Sequence, residues 1–170
     1  MNEHRFVNDS VARALSVLGD YWTFLVLREA FFGVRRFNEM AENLKLSRNI
    51  LSDRLRKLVA HGVLERRRYQ EKPDRYEYRL TARGNDLYGH IVALMRWGDE
   101  HLAGPEGPPL ILHHRPCDHD AIPLVVCSHC GQELQPEDVI ARPGPGAHAA
   151  ESQASVPSRW CKAGAYISTC

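Results

Sequence analysis

Cysteine is missing from the first 116 residues of this 170-residue chain, and the five that exist stand at 117, 127, 130, 161 and 170. An odd number, all at one end and with no export signal ahead of them, does not make a disulfide framework and points instead to metal or redox chemistry. The chain also lacks any run of 18 or more apolar residues, which excludes a membrane-spanning helix. Its opening, Met1 to Ser10, is polar and has no signal-peptide core, so a cytoplasmic protein with reduced thiols is expected. No P-loop, G-x-G-x-x-G, nucleophile elbow or carboxylate pair appears, and no enzyme is expected. There is no internal repeat.

What is present begins with 44% apolar residues, enough for a packed core. The net charge of +1 conceals an asymmetry. Residues 35–83 hold fourteen Lys and Arg against seven Asp and Glu, a net of +7, while the remainder holds eight against fourteen, a net of −6. Concentrated positive charge of this kind suits a polyanionic partner.

Hydrophobic spacing then divides the chain. Asp9 or Ser10 can cap a first helix with Val11, Ala14, Leu15 and Leu18 on one face and Gly19 as its stop. Asp20 can cap a second, largely apolar helix over Tyr21 to Phe32, ended by Gly33. Its Trp22, Phe24, Phe31 and Phe32 read as core. Arg36 to Leu44 is short and amphipathic, Leu46 breaks it, and Ser47 caps a helix to His61, closed by Gly62. The period then changes to two. Val63 to Tyr69 and Arg75 to Leu80 read as strands around the turn Glu71-Lys72-Pro73-Asp74. Thr81 can cap a last long helix to about Leu102. Its Trp97 would lie at a dimer interface or pack within the monomer.

The resulting order is four helices, a β-hairpin and a fifth helix, a mainly α fold with a β-hairpin wing. This is the winged helix-turn-helix order, expected over residues 9–102. A Gly/Pro linker over 103–112, a Cys/His module over 113–140 and a disordered tail over 141–170 would follow.

The helix after Ser47 carries the functional signal. Ile50, Leu51, Leu55, Leu58 and Val59 form one stripe, and Arg48, Asn49, Ser52, Asp53 and Arg56 the other. A recognition helix needs that division, one face to seat it and one to enter the major groove. Arg can pair with guanine and Asn with adenine, so Arg48, Asn49 and Ser52 in the first turns are the expected base readers. Ser47 at the helix N-terminus suits a phosphate. Charges on a wet helix face are by themselves a weak signal. Arg66, Arg67 and Arg68 on the first strand, with Lys72 and Arg75 at the hairpin tip, strengthen it, because consecutive arginines on a solvated strand serve phosphates or a minor groove. Arg36 and Arg56 complete the expected DNA-binding set.

In the Cys/His segment, Cys127-Ser-His-Cys130-Gly131 is a C-x-x-C-G knuckle, and His114-x-x-Cys117 has the same spacing. Nine residues separate Cys117 from Cys127. His114, Cys117, Cys127 and Cys130 would therefore hold a closed, structural tetrahedral zinc, with His119 competing for the place of His114. A metal-free loop and a Cys127–Cys130 redox pair are the alternatives.

Val11 to Arg28, Gly33 to Met40, Ser47 to Leu58, Gly62 to Arg66 and Tyr76 to Gly84, in this order and spacing, resemble the HxlR family of transcriptional regulators. The Cys/His module resembles an extension found in some relatives. The resemblance implies a homodimer joined through its N- and C-terminal helices, with two recognition helices addressing successive major grooves of a pseudo-palindromic operator. It also implies autoregulation or control of a neighbouring gene. Several family members sense oxidants through a Cys just before the first helix, where this chain has Asp9 between Asn8 and Ser10. An effector would then act through the C-terminal module or a dimer-interface pocket. The expected function is a DNA-binding regulator, a repressor. The alternative is a zinc-dependent protein-interaction module using the winged helix for partner contacts.

Overall fold

A computed structural model describes residues 9–142 and Pro145. Expectations for the first eight residues, and nearly all of those for the tail with Cys161 and Cys170, lie outside the described residues. The chain divides into two compact units, residues 15–123 and residues 1–14 with 124–170. The division falls inside the segment 113–140 read above as one Cys/His module.

The larger unit contains the helices and the hairpin. The division falls within helix α1 (Ser10–Leu18), whose residues from Leu15 on belong to this unit. Helix α2 (Tyr21–Phe31) starts where the Asp20 side chain accepts the Thr23 N–H, as its spacing predicts. Helix α3 (Phe37–Leu44) is stopped by Lys45, which takes the left-handed conformation at φ 50°. Leu46 then tucks inward, its N–H bonded to the Ala41 carbonyl. Helix α4 (Arg48–Ala60) is capped by Ser47, whose hydroxyl accepts the Ile50 N–H. Gly62, at φ 66°, supplies the positive dihedral that turns the chain into the hairpin.

Strands β1 (Leu64–Glu71) and β2 (Asp74–Leu80) pair antiparallel from Leu64–Leu80 out to Glu71–Asp74, with an irregularity between Arg68 and Gln70. A third, one-residue pairing joins Arg36 to Glu77, and the Tyr78 N–H donates to the Arg35 carbonyl at 2.8 Å. That extra pairing half-covers Glu77 and Arg79, so β2 does not alternate between wet and dry faces as its sequence suggests.

The expected single last helix is two. Thr81 does cap it, accepting the Gly84 N–H at 3.0 Å, but α5 (Ala82–Asn85) ends after one turn and α6 (Tyr88–Leu102) begins afresh. A Cβ on Gly84 would meet the Val63 carbonyl oxygen at 2.2 Å, so the short helix lies tight against the root of the hairpin. Beyond α6, β3 (His113–His114) and β4 (His119–Asp120) form a small antiparallel ribbon.

The core of this unit gathers Val26 and Leu27 of α2, Met40 of α3, Leu51, Leu55 and Leu58 of α4, Leu64 of β1 and Ile91 of α6. Trp22, Phe24 and Phe31 pack against it, but Phe32 is exposed, contrary to its reading as core. One buried charge also belongs here. Glu29 takes Arg28 at 2.9 Å on one oxygen and the Asn43 amide at 2.6 Å on the other, pinning α2 to the end of α3.

In the smaller unit, the segment after Leu124 makes a turn at Cys127–Gly131 closed by paired backbone bonds. The Cys127 N–H donates to the Gln132 carbonyl and the Gly131 N–H to the Cys127 carbonyl, both at 2.8 Å. A single-turn 3₁₀ helix over Pro136–Asp138 follows.

Candidate nucleic-acid interface

Helix α4 places its side chains as a groove-reading helix requires. Leu51, Leu55 and Leu58 are fully buried and seat it on the core, each burial being worth about 1.5–3 kcal/mol. Arg48, Asn49 and Arg56 are exposed and Ser52 is half-buried at the edge of the same face. Ile50, assigned above to the buried stripe, is exposed. It sits in the first turn, at the N-terminal end of α4.

Contacts within the protein distinguish the arginines. The Arg48 guanidinium lies 5.5 Å from the centre of the Phe37 ring and donates to Asn38 Oδ1 at 3.0 Å, which braces the start of α4 on α3. Arg56 meets Asp53 at 3.4 Å. Arg54, which the sequence did not single out, is structural. It pairs with Asp53 at 2.6 Å, and its Nε lies 2.9 Å from Asp20 Oδ1, near enough for charge pairing but off the hydrogen-bond axis.

The three consecutive arginines of β1 are all exposed but do not form one cluster, because strand side chains alternate between faces. Arg66 lies 3.5 Å above the ring of Tyr76. Arg68 is held by Glu71 at 3.1 Å and Asp74 at 3.4 Å, within the hairpin itself. Arg67 stands on the other face opposite Glu77 in register, and Glu77 is already bonded by Arg79 at 2.6 Å. Among the described residues, Arg67, Lys72 and Arg75 therefore have side-chain charges with no partner in the protein. Arg36 opens α3, lies 5.1 Å from the Tyr69 ring and reaches Glu39 at 3.5 Å. The wing thus presents free cations at its tip and one face, and self-paired ones on the other.

The four expected metal ligands fall two on each unit. On the ribbon, His114 Nδ1 lies 3.1 Å from Cys117 Sγ. Its neighbour His113 is bracketed by Asp118 and Asp120, each at 3.2 Å. His119 is turned to the Cys117 carbonyl. In the knuckle, the Cys130 N–H, then the His129 N–H and the Cys130 thiol, point at the Cys127 sulfur and hold its pKa below the ordinary thiol value. That is how a turn prepares a thiolate for a cation. Within neither unit, among the described residues, do three His, Cys, Asp or Glu side chains gather into a cage.

This fold, with a half-buried reading helix and a basic hairpin beside it, defines a winged helix-turn-helix DNA-binding protein. The profile of the HxlR-like helix-turn-helix family matches residues 17–105, and the chain belongs to that family. It is 53% identical over 143 residues to Rv3095 of Mycobacterium tuberculosis, an uncharacterized HTH-type transcriptional regulator, covering 84% of this chain and 90% of the relative. A match of 143 residues in a chain of 170 must include residues 28–143, and so runs through the Cys/His segment as well. The crystal structure of the transcription-factor candidate PA1607 superposes with a TM-score of 0.73 at 37% identity, covering 82% of this chain and 97% of that one. The candidate PA1374 of Pseudomonas aeruginosa does so with a TM-score of 0.60 at 33% identity, covering 84% and 97%. The protein is a transcriptional regulator with a helix-turn-helix DNA-binding fold, in a family of regulators rather than enzymes. No helix among the described residues is long and apolar enough to cross a membrane.

Proposed function

We propose that the protein is a cytoplasmic repressor that binds a pseudo-palindromic operator as a homodimer, with Arg48, Asn49 and Ser52 reading bases. Arg36, Ser47, Arg56, Arg66, Arg67, Arg68, Lys72 and Arg75 are the wider DNA-facing set, with Arg67, Lys72 and Arg75 supplying phosphate contacts. The observation that carries this reading is the division of α4. Three leucines are wholly buried, while Arg48 and Asn49, the two side-chain types best suited to guanine and adenine, are exposed in its first turn.

Dimerisation is supported by apolar side chains left in solvent on the N- and C-terminal helices. Leu15 is 51% exposed on α1, and Leu94, Trp97 and Leu102 are 53%, 53% and 71% exposed on α6. Runs of large apolar side chains in solvent mark interaction surfaces. Trp97 is thereby assigned to a subunit contact rather than to packing within the monomer. A dimer on an operator represses by excluding whatever else must occupy that DNA. Removing the gene should raise expression from the promoter it governs.

The test is selection from a random-sequence duplex library, followed by sequencing. The expected outcome is a two-fold-symmetric motif with half-sites about one helical turn apart. No enrichment at low salt, with zinc supplied, would shift the assignment to a protein-interaction module.

We further propose a structural zinc held by His114, Cys117, Cys127 and Cys130. Support comes from the spacing of the two pairs and from the amide-lined Cys127 sulfur. Zinc would supply cross-linking rather than catalysis, because four protein ligands leave no open position. Elemental analysis of the purified protein should find about one zinc per chain, and Cys127→Ser should lower it.

A further inference from the structure

Behind the wing, the end of α2, strand β2 and the segment from α5 to α6 line an open cleft of about 660 Å³. That size falls in the range of small-molecule sites. Its walls are of two kinds. Phe31, Tyr78, Tyr88 and Leu80 supply ring faces and apolar surface, and Phe31 and Tyr88 are already packed edge to face at 5.3 Å. Arg35, Arg79 and Asn85 supply polar groups.

The electrostatics favour one sign of ligand. Arg79 spends its Nε on Glu77 at 2.6 Å. The Arg35 guanidinium has no hydrogen-bond or ion-pair partner among the described residues, although its backbone carbonyl is fixed by the Tyr78 N–H. No carboxylate lines the cleft. The backbone bond holds the base of Arg35 in place while its charged end stays free. A free guanidinium is a planar donor fork that matches a carboxylate in two parallel hydrogen bonds. Rings flanking it favour a flat, unsaturated body through offset or edge-on stacking.

We propose that this cleft is a binding site for a small aromatic carboxylate. The carboxylate is held by Arg35, with Asn85 as a second polar contact, and the ring lies against Phe31, Tyr78 and Tyr88. The site differs from the expected sensing positions, the Cys/His module and a dimer-interface pocket. It connects two elements that the DNA-binding reading uses separately, the second strand of the wing and the first turn of the last helix. None of the lining residues belongs to the proposed DNA-facing set, and the test needs no DNA, so its failure is distinct from failure of the operator experiment.

The experiment is isothermal titration of the full chain with benzoate, a hydroxybenzoate, benzamide and cyclohexanecarboxylate. The expected result is saturable binding of the two aromatic acids at one site per chain. Benzamide and cyclohexanecarboxylate should each bind at least about 10-fold more weakly, as for loss of a charged hydrogen bond or of the stacking. Arg35→Gln should weaken benzoate about 10-fold or more, and Arg35→Lys should recover part of the loss. Arg35 is exposed and its side chain makes no hydrogen bond or ion pair among the described residues, so the Gln variant should keep the parent circular-dichroism spectrum. A second readout, perturbation of the Tyr88 ring resonances by benzoate, locates the ligand independently of the variant. Absence of saturable binding up to millimolar benzoate, equal binding of benzamide, or undiminished binding by Arg35→Gln would each overturn the assignment.

Discussion

At the scale of single residues, the strongest signals are those that act over three or four positions. Asp20, Ser47 and Thr81 are visible in the sequence as caps, and each accepts the expected N–H. Their legibility follows from locality, since a cap and its donor lie in one turn. Asp20 also carries a pH dependence. Partial burial pushes its pKa up, but hydrogen bonds from the Thr23 hydroxyl and N–H, with Arg54 and Lys57 nearby, push it down further, and the net is below the ordinary carboxylate value. A depressed pKa contributes stability above the unfolded value, about pH 4, and that stability is lost as pH falls through the folded pKa. Asp20→Asn keeps a competent cap but loses the charge. It should be less stable than the parent by roughly 0.3–1 kcal/mol at neutral pH, with the difference in urea titrations shrinking as pH falls below about 4 and vanishing only below the folded pKa. Glu29 was not legible, because its partner Asn43 is 14 positions away and nothing local marks the pairing. Gly84 was equally silent. Gly84→Ala must displace the Val63 carbonyl, and a loss of about 1–3 kcal/mol by thermal denaturation is expected.

At the scale of elements, period and punctuation were enough to order the four helices and the hairpin, and to divide α4 into two faces. They failed where tertiary contacts intervene. The break between α5 and α6 is set by close packing of Gly84 on the hairpin root, which a helical pattern cannot express. The pairing of Arg36 with Glu77 covers a strand that would otherwise alternate. Which wing arginines are free was also hidden, since it depends on register. Those differences yield a test of roles. Arg48→Ala should lose about 1–3 kcal/mol of preference for its operator over an altered one, with less change on arbitrary DNA. Arg67→Ala should weaken all sequences alike and reduce the slope of log affinity against log salt by about 0.9. Binding isotherms at several salt concentrations separate the two, and indistinguishable variants would refute the assignment.

At the scale of the whole molecule, the apolar side chains of α6 lead to a further outcome. Trp97→Glu should leave circular dichroism unchanged, because the side chain is about half exposed, yet yield a monomer in analytical ultracentrifugation where the parent, on the proposed reading, sediments as a dimer. Operator affinity should fall with it, since a palindrome rewards two linked readers. The sequence offered this face only through Trp97, which a monomer core could equally have absorbed. The Cys/His pairs were legible as spacing, yet their division between the two units was not.

The separation of labour within α4 bears on how such a regulator can change over generations. Leu51, Leu55 and Leu58 keep the helix seated, while Asn49 is exposed with no side-chain hydrogen bond among the described residues and Arg48 makes only exposed contacts. If these two side chains read bases as proposed, substitutions there should alter recognition at little cost to folding. A duplicated gene could therefore acquire a new set of target promoters in a few mutational steps, each intermediate remaining a stably folded protein.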